Sequence, residues 1–387
     1  MKLLDQVPEI PIAETWQWDT DVIVSDNGTE QRISLMEFPK RSVNLTIGMD
    51  TEAEVNKVAA RVAGSGEGLA IPFYQAATRL TASAAAGAGA ISFNASRTDV
   101  RSGAEALIFD RAGRVERVRL AVVSAAGATL AQPLAGAWSR KASIAPIWDC
   151  YASGSLAITR NNPDYIASLK ASFTEVDFME PFANEFAAYE FRQFKGYPVL
   201  EVNATGSEFE QSYETGATTQ EYGQRAFIRN PWLHSQIVMP RQFLCQRVLQ
   251  PESWRMWRAL GDYAKGSTNP FFVPTFRNDF EVLVMPGGNA NTVIFKGVEY
   301  AEEYAPFEPY RQFAFFLEDG GVQLASLVDF AIIGGNTVAH FTPALPAGVN
   351  PAKKCSLLLK VRIADDRISC EHNALHTMLS INLRTAD

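Results

Sequence analysis

Apolar and polar residues alternate over 41–47, and this period of two predicts a strand with one buried face. Apolar residues then recur every three or four positions over 52–62, which predicts a short helix capped by Asp50 or Thr51. The same order returns later in the chain. Segment 243–249 has the pattern of a strand, and 252–263 predicts a helix that carries Pro251 in its first turn.

A repeat at about half the chain length follows these openings. The segments 69–74 and 271–276 align through Pro72 and Pro274 when the chain is shifted by 202 residues. At the same shift, 91–93 falls on 293–295. Glycine-containing turn signals lie between the two apolar runs of each copy, so we expect a hairpin in each.

Weaker matches continue in order, first at a shift of 208 residues and then at 210. They are Gly113 with Gly321, Gly127 with Gly335, Thr129 and Leu130 with Thr337 and Val338, Pro133 with Pro343, Ile158 with Ile368, Leu169 with Leu379, Phe173 with Leu383, and Asp177 with Asp387. Shifts that change only by small steps favour a duplicated domain with loop insertions. The alternative is two unrelated β domains whose turns have similar sequences.

We therefore predict a mainly β, α+β fold of two tandem β-sandwich domains, each with one short helix. The domains are expected at 1–177 and 211–387, with 178–210 as a connecting segment. Asn27 and Gly28, between alternating runs, predict a further hairpin. The connecting segment is too aromatic for a free linker, so we expect it to pack along both domains, with 194–200 forming a turn into a strand.

Charge and composition exclude several classes of protein. The 387 residues carry a net charge of −8, and the basic stretch 111–119 alternates with valine and glutamate, which favours a solvated strand edge over specific nucleic-acid binding. No run approaches the roughly 18 apolar residues of a membrane span, and the amino terminus lacks the apolar core of a signal peptide. The four widely spaced cysteines suit reduced, buried thiols in a protein made in the cytoplasm.

Candidate catalytic chemistry is sparse. The chain has four histidines, no Gly-x-Ser-x-Gly elbow and no phosphate-binding glycine loop that follows a strand. Two acid pairs, Asp19 with Asp21 and Glu175 with Asp177, are spaced to share a strand face, as paired carboxylates do in glycosidases. A solvated strand edge gives the same spacing, and we nominate no catalytic or cofactor-binding residue.

A cluster of cysteine and histidine near the carboxyl terminus has residue types that bind metals. Cys370, His372 and His376 would share one face of a strand, with Cys355 on a neighbour, and such a set could hold zinc or an iron–sulfur cluster. The paired Cys-x-x-Cys spacing of structural sites is missing. The sequence therefore favours an ordinary strand with a buried thiol, and no metal ligand is assigned.

Several segments resemble the tail-tip proteins of long-tailed bacteriophages. The opening 16–35, continued by 39–42, is similar to their start, with a tryptophan, Thr-Asp-Val and Asn-Gly-Thr-Glu-Gln-Arg. The later segments 257–263 and 272–279 resemble their helix, glycine and aromatic-Pro-Thr sequence, and 194–200 has a counterpart too. These motifs are structural rather than catalytic.

The resemblance implies a non-enzymatic virion protein, a distal tail or baseplate-hub ring built from sandwich units like those of tail tubes. Its implied partners are further copies of itself, the tail tube protein and other tail-tip or fibre proteins, with the tape-measure protein as an additional candidate. A trimer would place six units around the axis, and a hexamer twelve. Two alternatives stay open: a carbohydrate-binding or depolymerising tail protein, and an unfamiliar two-domain cytosolic enzyme.

Overall fold

The computed structural model describes residues 2–24, 30–63, 68–153, 157–161, 166–176, 189–205, 210–214, 218–222, 225–229, 236–246, 250–284, 290–344 and 353–386. The protein is mainly β, with large antiparallel sheets, as the sequence predicts. In the described part of the chain, neither α-helix is long and apolar enough to cross a membrane.

The described residues of the first half form fourteen strands and one α-helix. They are β1 (Lys2–Leu3), β2 (Ile12–Gln17), β3 (Thr20–Val24), β4 (Glu30–Ser34), β5 (Lys40–Met49), α1 (Glu52–Ala63), β6 (Leu69–Pro72), β7 (Thr78–Arg79), β8 (Ala90–Ser92), β9 (Glu105–Phe109), β10 (Val115–Ser124), β11 (Gly127–Leu130), β12 (Ser143–Ala152), β13 (Ala157–Asn161) and β14 (Ile166–Glu175).

A short hairpin and a second long series of elements follow. They are β15 (Gln193–Phe194), β16 (Tyr197–Pro198), β17 (Ser212–Glu214), β18 (Thr218–Tyr222), β19 (Arg225–Arg229), β20 (Gln236–Cys245), α2 (Pro251–Ala264), β21 (Phe271–Pro274), β22 (Val282–Val284), β23 (Thr292–Phe295), β24 (Gln312–Phe316), β25 (Val322–Ile333), β26 (Asn336–Thr342), β27 (Lys354–Ile363), β28 (Arg367–His372) and β29 (Thr377–Thr385).

The strand pairing of the first half recurs in the second. Strand β14 pairs with β5, β12 and β13, and β29 pairs with β20, β27 and β28 in the same arrangement. The ladder β6–β12–β9–β10–β11–β8 has its counterpart in β21–β27–β24–β25–β26–β23. A register irregularity interrupts both hairpins at the same place, between Leu120 and Val122 and between Leu327 and Asp329. Each strand named in these comparisons can therefore be assigned its equivalent in the other half.

Local sequence explains the helices and the turns between strands. Helix α1 begins after Thr51, whose hydroxyl accepts a hydrogen bond from the backbone N–H of Glu54 at 3.2 Å. Helix α2 begins at Pro251, as predicted, because proline fits the first helical turn, where its missing N–H is not needed. Strands β3 and β4 form the predicted hairpin, although its Asn27-Gly28 turn lies outside the described residues.

Most of the apolar surface lies in three clusters. One encloses the valine stripe of α1 against β5, β6, β12 and β14. A second fills the space between β8, β9, β10 and the long strand β12. In the second half, one larger cluster packs α2 against strands that include β20, β21, β24, β27 and β29. This cluster also contains Trp16 and Trp18 from the first half. Two tryptophans of the first half thus belong to the core of the second.

The register corrects several sequence matches. Strand β20 begins at Gln236, so the predicted start of this strand at residue 243 is too late. Residues 247–249 of the predicted strand lie outside the described residues. Ile158 pairs with Leu169 as Cys370 pairs with Leu379, so Ile158 corresponds to Cys370 and not to Ile368.

Glycine positions were also misaligned. Gly113 and Gly320 both have positive φ, 79° and 86°, in equivalent turns, so the predicted match of Gly113 to Gly321 is one residue off. The pairing of 127–130 with 335–338 is wrong as well, because the β25–β26 hairpin is longer than its β10–β11 counterpart. The matches of 69–72 to 271–274 and of 91–93 to 293–295 agree with the register. The proposed match of Asp177 to Asp387 lies outside the described residues.

The described part of the connecting segment, 189–205, packs on the second half. Strands β15 and β16 form a hairpin around Lys195 and Gly196, and Val199 pairs with Phe272 in a parallel bridge. Phe194 and Tyr197 contact the apolar cluster of Phe272. The expected turn at 194–200 is therefore present, and the expectation of packing along both halves is met on the second half.

Candidate functional site

Strand β2 joins the two halves of the chain into one sheet. Along one edge it pairs antiparallel with β5 of the first half, with Thr15 opposite Ser42. Along its other edge it pairs antiparallel with β28 of the second half, with Thr15 opposite Ser369. We call this contact, together with the side chains that cover it, the internal joint.

A buried glutamate lies at the centre of the internal joint. The side chain of Glu14 is fully buried, since the alternation of β2 places it on the inward face between Ile12 and Trp16. Its Oε1 accepts hydrogen bonds from Arg41 Nη2 at 2.5 Å and from Trp16 Nε1 at 2.7 Å. Its Oε2 lies 2.9 Å from Nε2 of His372. The carboxylate therefore links residues from both halves.

Charged neighbours keep Glu14 ionised. Burial alone would raise the pKa of Glu14, but the guanidinium of Arg41 and the hydrogen bonds from His372 and Trp16 hold this pKa well below its ordinary range. Burial alone would lower the pKa of Arg41, and the carboxylates of Glu14, Glu175 and Asp99 raise it instead. Arg41 also stacks on Trp148, with its guanidinium carbon 3.5 Å from the ring centroid.

A second buried ion pair crosses the internal joint. Arg258 of α2 bonds to Asp99 of the first half, and both side chains are almost wholly buried. Burial lowers the pKa of Arg258, and the repulsion of Arg41 lowers it further, against the opposing pull of Asp99. Buried charges of this kind are costly unless paired, so each half needs the other to satisfy them.

Two tryptophans of the first half pack on a glycine of α2. A Cβ added at Gly261 would lie 3.3 Å from the ring of Trp16 and 3.4 Å from the ring of Trp18. Trp16 also packs against Trp254, with ring centroids 5.6 Å apart. The absence of a side chain at Gly261 lets both rings approach the helix backbone.

The two halves contribute different surfaces to the internal joint. The first half supplies β2, its tryptophans and Asp99, whereas the second supplies β28 and one face of α2. Such a contact is heterologous, and a heterologous contact that is repeated between molecules generates a ring or a filament. The described residues of the internal joint thus hold the two halves of one chain together through strand pairing, buried ion pairs and aromatic packing.

A pocket in the first half is the main alternative site. It has a volume of about 260 Å³ and is lined in part by Glu105, Arg119, Asp149 and Glu175. Pockets that hold small ligands usually measure about 300–1,000 Å³ and are mostly apolar. Glu105 is also engaged by Arg117 in an ion pair. This pocket is a weaker candidate than the internal joint.

The candidate metal ligands that the sequence predicts on one strand face do not all lie on it. Cys370 and His372 share the buried face of β28, but the strand ends at His372, so His376 does not lie on that face. Nδ1 of His372 lies 2.8 Å from the hydroxyl of Thr377, and its other nitrogen faces Glu14. Cys355 is buried in the core, where burial raises the pKa of its thiol. Among the described residues, no group of three potential ligands could hold a metal ion.

The acid pairs are not brought together as a site. Asp19 and Asp21 are at the surface beside β2 and in β3. Glu175 is buried near Arg41, so its interpretation as part of a solvated strand edge is wrong. Asp177 lies outside the described residues.

Sequence reasoning missed the charges of the internal joint. Glu14 and Arg41 each occupy an inward position of an alternating strand, and Arg258 follows Trp257 on the apolar side of a helix. A charged residue on an apolar face needs a buried partner, so opposite charges on such faces are a usable signal.

No protein-family model matches the chain, and no curated protein matches it at a significant level.

Proposed function

We propose that this protein is a structural, non-enzymatic subunit of a closed homo-oligomeric ring at the distal end of a bacteriophage tail. In this proposal the chain consists of two tail-tube-like β-sandwich units, 1–177 and 211–387, with 178–210 between them. The ring joins the tail tube to the tip or receptor-binding apparatus, and the subunit is made in the host cytoplasm before it enters the virion. A trimer carries six such units, and a hexamer twelve.

One observation carries this proposal: two halves with the same strand pairing are joined head to tail through unlike surfaces. Because the contact is heterologous, each unit presents a leading and a trailing surface to its neighbours. The sequence resemblance to tail-tip proteins supplies the location in the virion. The predominantly antiparallel pairing of the large sheets favours this proposal over a depolymerase built as a parallel β-helix.

Mass measurement tests the ring. Light scattering of the purified chain should give one species with the mass of three or six copies of the 42.5 kDa subunit, stable on dilution. A monomer at micromolar concentration would contradict the ring.

Labelling of virions tests the location. Gold-labelled antibodies against the chain should bind phage particles at the end of the tail away from the head. Label on the head, or no label on particles that contain the gene, would contradict the location while leaving the ring untouched.

A further inference from the structure

We propose that the internal joint is repeated between chains: β17 of one chain pairs antiparallel with β13 of the next copy, as β2 pairs with β28. This inference rests on the proposed ring and identifies the surfaces that form it. It commits to one occupant for both surfaces, a second copy of this chain.

Strand β17 occupies in the second half the place that β2 occupies in the first. Each of the two strands is followed along the chain by a two-stranded hairpin. Each also pairs with the strand that leads into the helix of its own half. Ser212 lies opposite Val238, as Thr15 lies opposite Ser42. By the same register Tyr213 corresponds to Trp16. The surface that β2 presents to β28 is therefore presented again by β17.

Strand β13 occupies the place of β28. It pairs with β14 in the register that relates β28 to β29, and through this pairing Ala157 corresponds to Ser369. Among the described residues, β28 pairs along its second edge with β2, and β13 pairs along one edge only. Transfer of the Thr15–Ser369 pair therefore places Ser212 of one chain opposite Ala157 of the next.

The two equivalent aromatic residues differ in burial. Trp16 has no exposed surface, because α2 and β28 cover it, whereas Tyr213 is 63 % exposed. Tyr304 and Phe307 of the second half are also more than a third exposed. Tyrosine is enriched at protein interfaces, because its ring is apolar while its hydroxyl can form hydrogen bonds.

Helix α1 offers the surface that Tyr213 requires. Pro72 and Pro274 are equivalent, and Ala59 precedes the first by as many residues as Gly261 precedes the second. Ala59 therefore corresponds to Gly261, on which Trp16 packs. Ala59 is half-buried, and the preceding turn of the same helix face exposes Asn56. A small residue at this position leaves room for an aromatic ring, so Tyr213 of one chain packs over Ala59 of its neighbour.

Charge does not distinguish the two surfaces. In the first turn of α1, Glu52 is exposed and pairs with Arg160 of β13 at 3.1 Å. In β17, Glu214 pairs with Arg384 at 2.8 Å. Each surface thus carries charges of both signs, and the proposed contact rests on strand pairing and on the aromatic residue Tyr213.

A disulfide between chains tests the register. Directly opposite strand residues have Cα atoms about 4.5–5.5 Å apart, which suits a disulfide. The double variant Ser212→Cys with Ala157→Cys should form interchain disulfides on mild oxidation and give covalent species up to the whole ring. The four native cysteines are buried and provide no competing exposed thiol.

The single variants are the matched controls. A heterologous joint brings residue 212 to residue 157 and never to another residue 212, so Ser212→Cys and Ala157→Cys alone should give no covalent dimer, while an equimolar mixture of the two should give only dimer. Cross-linking of either single variant, or a ring whose double variant stays uncrosslinked, overturns this joint and leaves the proposed function standing. A wild-type monomer would overturn both.

A second variant tests the aromatic contact. Tyr213→Glu should raise the concentration at which the ring dissociates by about 30-fold or more, as loss of a central aromatic anchor does. Val122→Glu removes a similarly exposed apolar residue elsewhere on the first half and should leave that concentration unchanged. Equal effects of the two changes would contradict a specific contact at Tyr213.

Discussion

Helices α1 and α2 occupy equivalent places between equivalent strands, yet they are buried differently. Helix α1 buries one stripe, formed by Val55, Val58 and Val62. Helix α2 buries the corresponding stripe and also a second face, which includes Trp254 and Arg258. The second face is covered by the first half of the chain. This covering explains why α2 carries tryptophan and a buried arginine where α1 carries the exposed polar residues Glu52 and Asn56, and glycine where α1 carries the half-buried Ala59. The difference shows which residues of α2 depend on the first half for their burial.

Removal of the buried arginine should have the largest effect. Arg258→Met leaves Asp99 buried without its ion-pair partner, and we expect the free energy of unfolding to fall by about 3–5 kcal/mol. The change can be measured by urea denaturation of dilute protein. Asn56→Met, at the corresponding exposed position of α1, should change it by less than about 0.5 kcal/mol. Similar losses from both changes would contradict the comparison of the two helices.

Acidification should weaken the internal joint through Glu14. The pKa of this buried carboxyl is lower in the folded chain than in the unfolded chain. The contribution of Glu14 to the free energy of unfolding is therefore present above the unfolded pKa of about 4.3, and it is lost as the pH falls toward the folded pKa. Between these two values the unfolded state binds one more proton, which gives a slope of about 1.4 kcal/mol per pH unit.

Glu14→Gln should remove this part of the pH dependence. Unfolding free energies measured between pH 4 and pH 2.5 should fall less steeply in Glu14→Gln than in the wild type. Glu371→Gln, on the exposed face of β28, serves as the control and should keep the wild-type profile. An unchanged slope in Glu14→Gln would show that the carboxylate is not stabilised by its neighbours.

Enlargement of the helix residues under the aromatic rings should separate folding from assembly. Gly261→Leu forces side-chain atoms into the space of Trp16 and Trp18, and we expect a loss of about 1–3 kcal/mol in unfolding free energy. Ala59→Leu, at the corresponding place on α1, should leave unfolding within about 0.5 kcal/mol of the wild type and reduce ring formation. Loss of stability in Ala59→Leu with intact rings would reverse this comparison.

The helix caps should show the smallest difference. Thr51→Ala removes the hydroxyl that caps α1 and should cost about 1 kcal/mol. Helix α2 has no side-chain cap at Gln250, so Gln250→Ala should be nearly neutral. Thermal denaturation of the two variants checks this order, and a larger loss in Gln250→Ala would contradict it.

The order of elements could be predicted because its signals are local. Alternation identified β5, and the valine spacing identified α1 to within one residue of its observed end. The proline-containing runs were matched correctly because Pro72 and Pro274 each end a fully buried strand. Matches based on single glycines failed for two reasons. Gly113 was matched to the wrong one of two adjacent glycines, Gly320 and Gly321. Gly127 was matched wrongly because the β25–β26 hairpin is longer than the β10–β11 hairpin, which moves the turn relative to the strands.

The internal joint could not be predicted because it depends on contacts between distant parts of the chain. Nothing local to Glu14 shows that His372 lies beside it, or that Asp99 faces Arg258. The inward positions of Glu14 and Arg258 did indicate that each has a buried partner, because a lone charge on an apolar face requires one. The partner itself follows only from the strand order, which places β2 between β5 and β28.

Electron microscopy of the purified protein, combined with its mass, tests the central claim most directly. If the joint within the chain is the joint between chains, class averages should show a closed annulus of similar lobes, with two lobes for every chain that the mass indicates. An annulus with one lobe per chain, or a pair of chains related by a two-fold axis, would contradict it.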